Sequence, residues 1–171
     1  LLLAAAEDAN RVVYLKAETD RDCVGMGTTL VGMILRGTTL WVVNVGDSRA
    51  YLIRPAEGIS RVTRDHSLVE DMVEKGDLTP GQARSHPRRN LITRALGPDP
   101  AVEADGFPLQ WKPGDFLLLC SDGLVNTVTD QEIMFEILHN GQPEDCLQRL
   151  MAISKHEGAP DNVTAILLMN D

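Results

Sequence analysis

Apolar residues along the chain change their spacing as they go, and each change marks an element. Leu2, Ala5, Ala9, Val12 and Val13 recur at helical intervals with few breakers between them, which predicts a helix over residues 1–17. The next stretch, "TDRDCVGMG", is punctuated by glycine and reads as a loop. "TTLVGMIL" and "TLWVVNVG" follow as nearly continuous β-branched and apolar runs around "RGT", the pattern of a hairpin in a sheet covered on both faces. "RAYLIR" and "SRVT" predict two more strands, with turns at 46–48 and 55–58.

Between Asp65 and Pro100 the texture changes. Ser67 with Glu70 predicts a capping box, Leu68, Val69, Met72 and Val73 form one apolar stripe, and Gly76 stops the short helix. "LTPGQARSHPRRN" is polar, basic and proline-bearing, and "LITRALG" is a short amphipathic turn. So little core-forming content predicts an insertion or flap, about residues 66–96, lying over a face of the sheet. Core material then returns. "FLLLC" is a strand, Thr129 and Glu132 cap a helix that buries Ile133, Ile137 and Leu138, Pro143 opens a helix carrying Leu147, Leu150 and Met151, and "NVTAILLM" closes as a strand. Strands are not alternated with helices as in a parallel series, so the expected class is α+β with largely antiparallel sheets.

Composition narrows the function classes. At 171 residues and 43% hydrophobic, the chain can bury the core of a single domain spanning 1–171. A net charge of −9 argues against nucleic-acid or anionic-membrane binding, and suits a phosphorylated substrate only if bound cations reverse the local field. Three widely spaced cysteines with no CxxC pair indicate neither a disulfide framework nor a zinc knuckle, and a cytoplasmic setting is the simpler expectation. The opening "LLLAAAEDAN" is too short for a membrane span and lacks the flanks of a signal peptide; with no initiator Met it suggests a fragment or processed product.

Three aspartates stand where apolar strands meet turns: Asp47 after "LWVVNVG", Asp122 after "FLLLCS", and Asp161 before "NVTAILLM". If those strands are neighbours, their ends bring three carboxylates around one point, an oxygen-rich cluster that hard divalent cations such as Mg²⁺ or Mn²⁺ prefer. Each alone reads more readily as a turn residue capping nearby amides, three together shift the balance, and spacing does not show convergence.

These residues resemble a known family, the metal-dependent serine/threonine protein phosphatases of type 2C in their compact bacterial form. The matching segments, in order, are "GMGTTLVGMIL", "VVNVGDSRAYLIR", "VTRDHS", "SHPRRNLITRALG", "PGDFLLLCSDGL" and "PDNVTAILL", covering the chain from Gly25 almost to its end. The resemblance implies an αββα sandwich, two mostly antiparallel sheets flanked by helices, with a two-cation Mn²⁺ or Mg²⁺ centre at one edge. It assigns Asp122 and Asp161 as catalytic metal ligands and Asp47, with Asp122, to a third and weaker site. It further implies hydrolysis of phosphoserine and phosphothreonine in proteins by a metal-activated water, on substrates of Ser/Thr kinases, with the flap tuning substrate choice.

The chain also departs from that family. The "RxxNED"-like element and the "DGMGG" or "DGHGG" motif, whose aspartate bridges the metals, have no counterpart here, and Asn126 stands where some members carry another metal-binding aspartate. This predicts an incomplete centre, missing first strands and unpaired sheet edges that invite association. It keeps open the alternative of a non-catalytic, pseudophosphatase-like binding module or an inactive fragment. Among the remaining residues, His86, Arg88 and Arg89 are candidate substrate contacts on the flap, balanced against a solvated loop. His66 reads as structural more than as a proton donor, Arg49 as the partner of a nearby carboxylate, and His139 and His156 as helix-terminal. "GMGTT" lacks the lysine of a phosphate loop, and Ser121 lacks the elbow of a serine hydrolase.

Overall fold

The computed structural model describes residues 1–139 and 142–170. The chain opens with helix α1 (Leu2–Thr19), passes through a 3-10 turn at Arg21–Cys23, and enters a hairpin of β1 (Leu30–Arg36) and β2 (Thr39–Val45). After β3 (Arg49–Arg54) and β4 (Gly58–Arg61) come two short helices, α2 (Leu68–Glu74) and α3 (Pro80–Arg84). Then follow β5 (Asp105–Gln110), β6 (Phe116–Cys120), α4 (Asp122–Val125), α5 (Asp130–His139), α6 (Pro143–His156) and β7 (Ala165–Met169). The strands form two antiparallel sheets, in the orders β1-β2-β5 and β4-β3-β6-β7.

Strand alternation builds two cores from one sheet. In β3, Ala50 and Leu52 face the three-stranded sheet, where they meet Leu40 and Val42 of β2 and Leu117 and Leu119 of β6. The intervening Tyr51 and Ile53 turn the other way, with Leu118 and Cys120, onto Leu124, Ile133, Ile137 and Leu150 of the helices. This is the expected αββα order, with α1 on the outer face of the smaller sheet and α5 and α6 on that of the larger. Under α1 the register aligns Gly32, Val43 and Gly106, and a side chain at Gly106 would stand only 3.2 Å from Leu3. Among the described residues, no helix is long and apolar enough to cross a membrane.

Several local expectations need correction. β5 was not expected, because Gly106 and Pro108 break its pattern. It forms as an edge strand, where a missing N–H is tolerated. The polar "LTPGQARSHPRRN" stretch contains α3, which Thr79 and Gln82 close with a full capping box. The box expected at Ser67 is half made: Ser67 accepts from the Glu70 N–H at 3.3 Å, but the Glu70 carboxylate pairs with Arg61 instead of reaching back.

Candidate metal centre and active site

Strand register decides whether the three aspartates meet. Arg49 at the start of β3 pairs with Cys120 at the end of β6, and Cys120 pairs with Ala165 at the start of β7. Asp47, two residues before Arg49, Asp122, two after Cys120, and Asp161, four before Ala165, therefore all leave the same end of one sheet. Neighbouring strands lie about 4.8 Å apart, with β6 in the middle, so Asp122 is flanked by the other two.

The local backbone sharpens this. Asp122 is not at the end of the strand but is the first residue of α4, with Ser121 before it. Ser121 stitches that corner to the loop of Asp161: its N–H donates to the Thr164 carbonyl at 3.0 Å, its hydroxyl donates to the Asn162 carbonyl at 3.2 Å and accepts from the Thr164 N–H at 3.0 Å. Gly123 serves a close approach, since a Cβ there would lie 2.4 Å from the Asn162 carbonyl oxygen. Asp161 itself is exposed, and its carboxylate accepts from the Asn162 N–H at 2.7 Å.

Asp47 and Asp122 open into one cleft of about 360 Å³, also lined by Arg49, Arg61, Arg84, Arg89, Asn90 and Asp130. Its floor is a chain of ion pairs. Arg49 grips Asp65 with two nitrogens, at 2.6 Å and 2.9 Å, and donates to the Tyr51 hydroxyl at 3.0 Å. Arg61 pairs with Glu70 and lies 3.7 Å from Asp65, and Arg84 lies 3.8 Å from Asp130. Burial works to lower the Arg49 pKa, but the hydrogen-bonded charge of Asp65 outweighs it and raises it, and burial pushes the Tyr51 hydroxyl up to about 12. Arg49 is thus the partner of a carboxylate, as expected, and not a free phosphate clamp.

The aspartates are treated differently. Among the described residues Asp47, Asp122 and Asp161 take part in no ion pair; Asp122 receives only the Asn126 amide, at 3.2 Å. Burial, and then the facing charge of Asp122, push the Asp47 carboxyl up to about 6. Facing oxygen donors held in no ion pair suit a hard divalent cation. Among the described residues, however, no three His, Cys, Asp or Glu side chains already stand as a closed cluster.

Of the flap candidates, Arg89 lines the cleft, whereas His86 and Arg88 are not part of its lining. Arg94 is turned away to Asp105 and the Glu103 carbonyl. His66 is buried, as the structural expectation held. His139 donates from Nδ1 to the Phe135 carbonyl, 2.9 Å away, and stacks on the Phe135 ring. Sequence reasoning missed Arg84, Asn90 and Asp130 in the cleft; the capping residues around Asp130 were legible, their facing the flap was not.

Comparison with known proteins places the fold in one family. The Protein phosphatase 2C family profile matches residues 2–75. The serine/threonine phosphatase stp of Listeria monocytogenes is 38% identical over 166 residues, covering 96% of this chain and 65% of that protein. The crystal structure of serine/threonine phosphatase Stp1 from Staphylococcus aureus superposes with a TM-score of 0.94 at 37% identity, covering 99% of this chain and 66% of that one. The catalytic domain of the phosphatase PstP, solved in complex with two manganese ions, gives 0.83 at 35% identity, over 98% of this chain and 70% of that one. The chain belongs to the protein phosphatase 2C family. It spans just under two thirds of the length of its Listeria relative.

Proposed function

We propose that this chain carries most of the active centre of a metal-dependent protein serine/threonine phosphatase, acting on phosphoserine and phosphothreonine in proteins phosphorylated by Ser/Thr kinases. One observation carries the reading. Among the described residues Asp47 and Asp122 share a cleft and take part in no ion pair, while Arg49 and Arg61 on its floor are already committed to other carboxylates. The donor set fits Mn²⁺ or Mg²⁺, with Asp122 and Asp161 as the principal ligands and Asp47 contributing to a third, weaker position. When bound, such cations supply a water of lowered pKa and neutralise the phosphoryl oxygens. The protein's own part is positioning: the β6–α4 corner fixes Asp122, Ser121 holds the Asp161 loop against it, and Arg84, Arg89 and Asn90 on the flap orient the phosphopeptide. Three free cysteines, two of them buried, support a reducing, cytoplasmic setting.

The test is hydrolysis of p-nitrophenyl phosphate and of a phosphothreonine peptide with Mn²⁺, with and without EDTA, beside Asp122→Asn. Loss of activity on chelation, and a drop of roughly a hundredfold in the variant, are expected. Hydrolysis indifferent to both would end the metal reading. Mn²⁺ binding without any hydrolysis would favour a non-catalytic binding module.

A further inference from the structure

Gly46 precedes Asp47 at the point where the chain crosses from one sheet to the other. It has φ +105°, and a Cβ there would lie 2.4 Å from Cγ2 of Thr29. No other residue fits, yet glycine is also the least restrained residue the backbone can have. The direction of Asp47 must therefore be fixed from outside, and the contacts of Gly46 show how. Its N–H donates to Nδ1 of His66 at 3.0 Å, and its carbonyl accepts from the His66 N–H at 2.9 Å and from Nδ2 of Asn44 at 3.1 Å.

The other side of the ring faces the base of the flap. Nε2 of His66 lies 3.1 Å from Oδ2 of Asp105 and 3.2 Å from Nη1 of Arg94, and the His66 carbonyl accepts from the Thr93 N–H at 2.8 Å. A ring nitrogen that accepts an amide proton carries none of its own, so the proton sits on Nε2 and is donated to Asp105. Nη1 of Arg94 has two protons, which go to the Glu103 carbonyl at 2.8 Å and to Oδ1 of Asp105 at 3.1 Å. Its approach to Nε2 is then a packing contact. His66 is 4% exposed and does not line the cleft, which removes it as a proton donor to a leaving group.

We propose that His66 is a positioning residue. Protonated at Nε2, it holds the Gly46 peptide, and through it the setting of Asp47 toward Asp122, and it ties that setting to residues 93–105 through Asp105. The importance of Asp47's setting rests on the metal reading above; the tautomer and the Gly46 contacts do not.

Ring ¹⁵N shifts of His66 in the unmodified chain read the tautomer directly, and Gly46 amide exchange with Mn²⁺ titration reads the consequence. The Oδ1 of Asn can stand where Nδ1 stands, whereas the Gln amide reaches toward Nε2 and leaves the Gly46 N–H unpaired. The Nε2–H tautomer is expected, with His66→Asn within about threefold of the parent in Gly46 protection and Mn²⁺ affinity. His66→Gln should lose roughly tenfold in both. An Nδ1–H tautomer, or equal Gly46 protection in the two variants, overturns the proposal, and the tautomer does so without requiring either variant to fold. Mn²⁺ binding too weak to measure in the parent would instead fail the phosphatase reading, leaving tautomer and exchange to decide the role of His66.

Discussion

Gly123→Ala sets two opposing effects against each other, and the geometry decides which wins. Gly123 is the second residue of α4 and has no positive φ, so alanine fits the backbone and would ordinarily gain up to about 1 kcal/mol as a helix former. The new Cβ, however, would sit 2.4 Å from the Asn162 carbonyl oxygen, 3.0 Å from its carbon and 3.4 Å from Cγ2 of Val163. Carbon and oxygen settle at about 3.3 Å, so the two corners must part by roughly 0.9 Å. Ser121 resists that movement with its three bonds to Asn162 and Thr164. Overpacking of this kind costs about 1–3 kcal/mol, which exceeds the helical gain. The expected result is a net loss of about 1–2 kcal/mol, or about 2–8 °C in Tm for a chain of this size. The larger effect falls on metal binding. Ligand distances tolerate about 0.2 Å, and the displaced corners carry Asp122 and Asp161, so Mn²⁺ affinity should fall at least about tenfold by calorimetric titration. Gly81→Ala is the control: Gly81 lies in α3 with nothing near its missing Cβ, so that change should stabilise and leave Mn²⁺ affinity alone. If Gly123→Ala matched Gly81→Ala in both measurements, the close approach between the corners would not be what sets the site.

Asp47 makes stability depend on pH in an unusual direction. Its carboxyl titrates at about 6 in the fold against 3.8 in the free chain, so between those values the folded protein keeps a proton that the unfolded chain has released. In EDTA, stability should therefore fall as pH rises from about 4 to about 6, by about 1–2 kcal/mol once solvent screening of this half-buried group is allowed for, and remain lower above that window. Urea denaturation at stepped pH measures it, and an unchanged slope in Asp47→Asn would assign the effect elsewhere. At the cleft floor, Arg49→Ala leaves Asp65, 8% exposed at its side chain, with Arg61 alone at 3.7 Å. That should cost about 3 kcal/mol, with Asp65→Asn in the same background adding less than its cost alone.

The two-sheet core was legible because alternation is local: in "AYLI" within β3 and in "FLLLC" every residue is apolar on both faces, as a strand between two layers requires. What was lost depended on position. Gly106 and Pro108 hide β5 because only an edge forgives them, and edges are set by pairing with a strand far away in sequence, as Thr39 pairs with Gln110 and Asn44 with Asp105. The grammar of Asp47, Asp122 and Asp161 was visible, but that all three leave one end of the same sheet, with Asp47 and Asp122 lining the cleft and Asp161 outside its lining, rests on the Arg49, Cys120 and Ala165 register, which no single segment encodes. His66 was legible as structural in "VTRDHS"; its partner Gly46 needs support because of Thr29, a residue from a different strand end.

The charge pattern also sets an order of events for the proposed activity. The protein carries −9 overall, and Arg49 and Arg61 at the cleft floor cannot turn to a phosphoryl group without abandoning Asp65 and Glu70. Releasing either carboxylate would leave a poorly solvated negative charge, a loss larger than one exposed phosphate contact returns. The flap arginines are different: Arg84 holds Asp130 only at 3.8 Å, and its side chain is more than half exposed, so it can exchange partners cheaply. A phosphorylated segment can therefore be met first at the flap wall but cannot settle against Asp47 and Asp122 while both are ionised and uncompensated. Cation entry must come before productive substrate binding, and raising Mn²⁺ should lower KM as well as raise kcat.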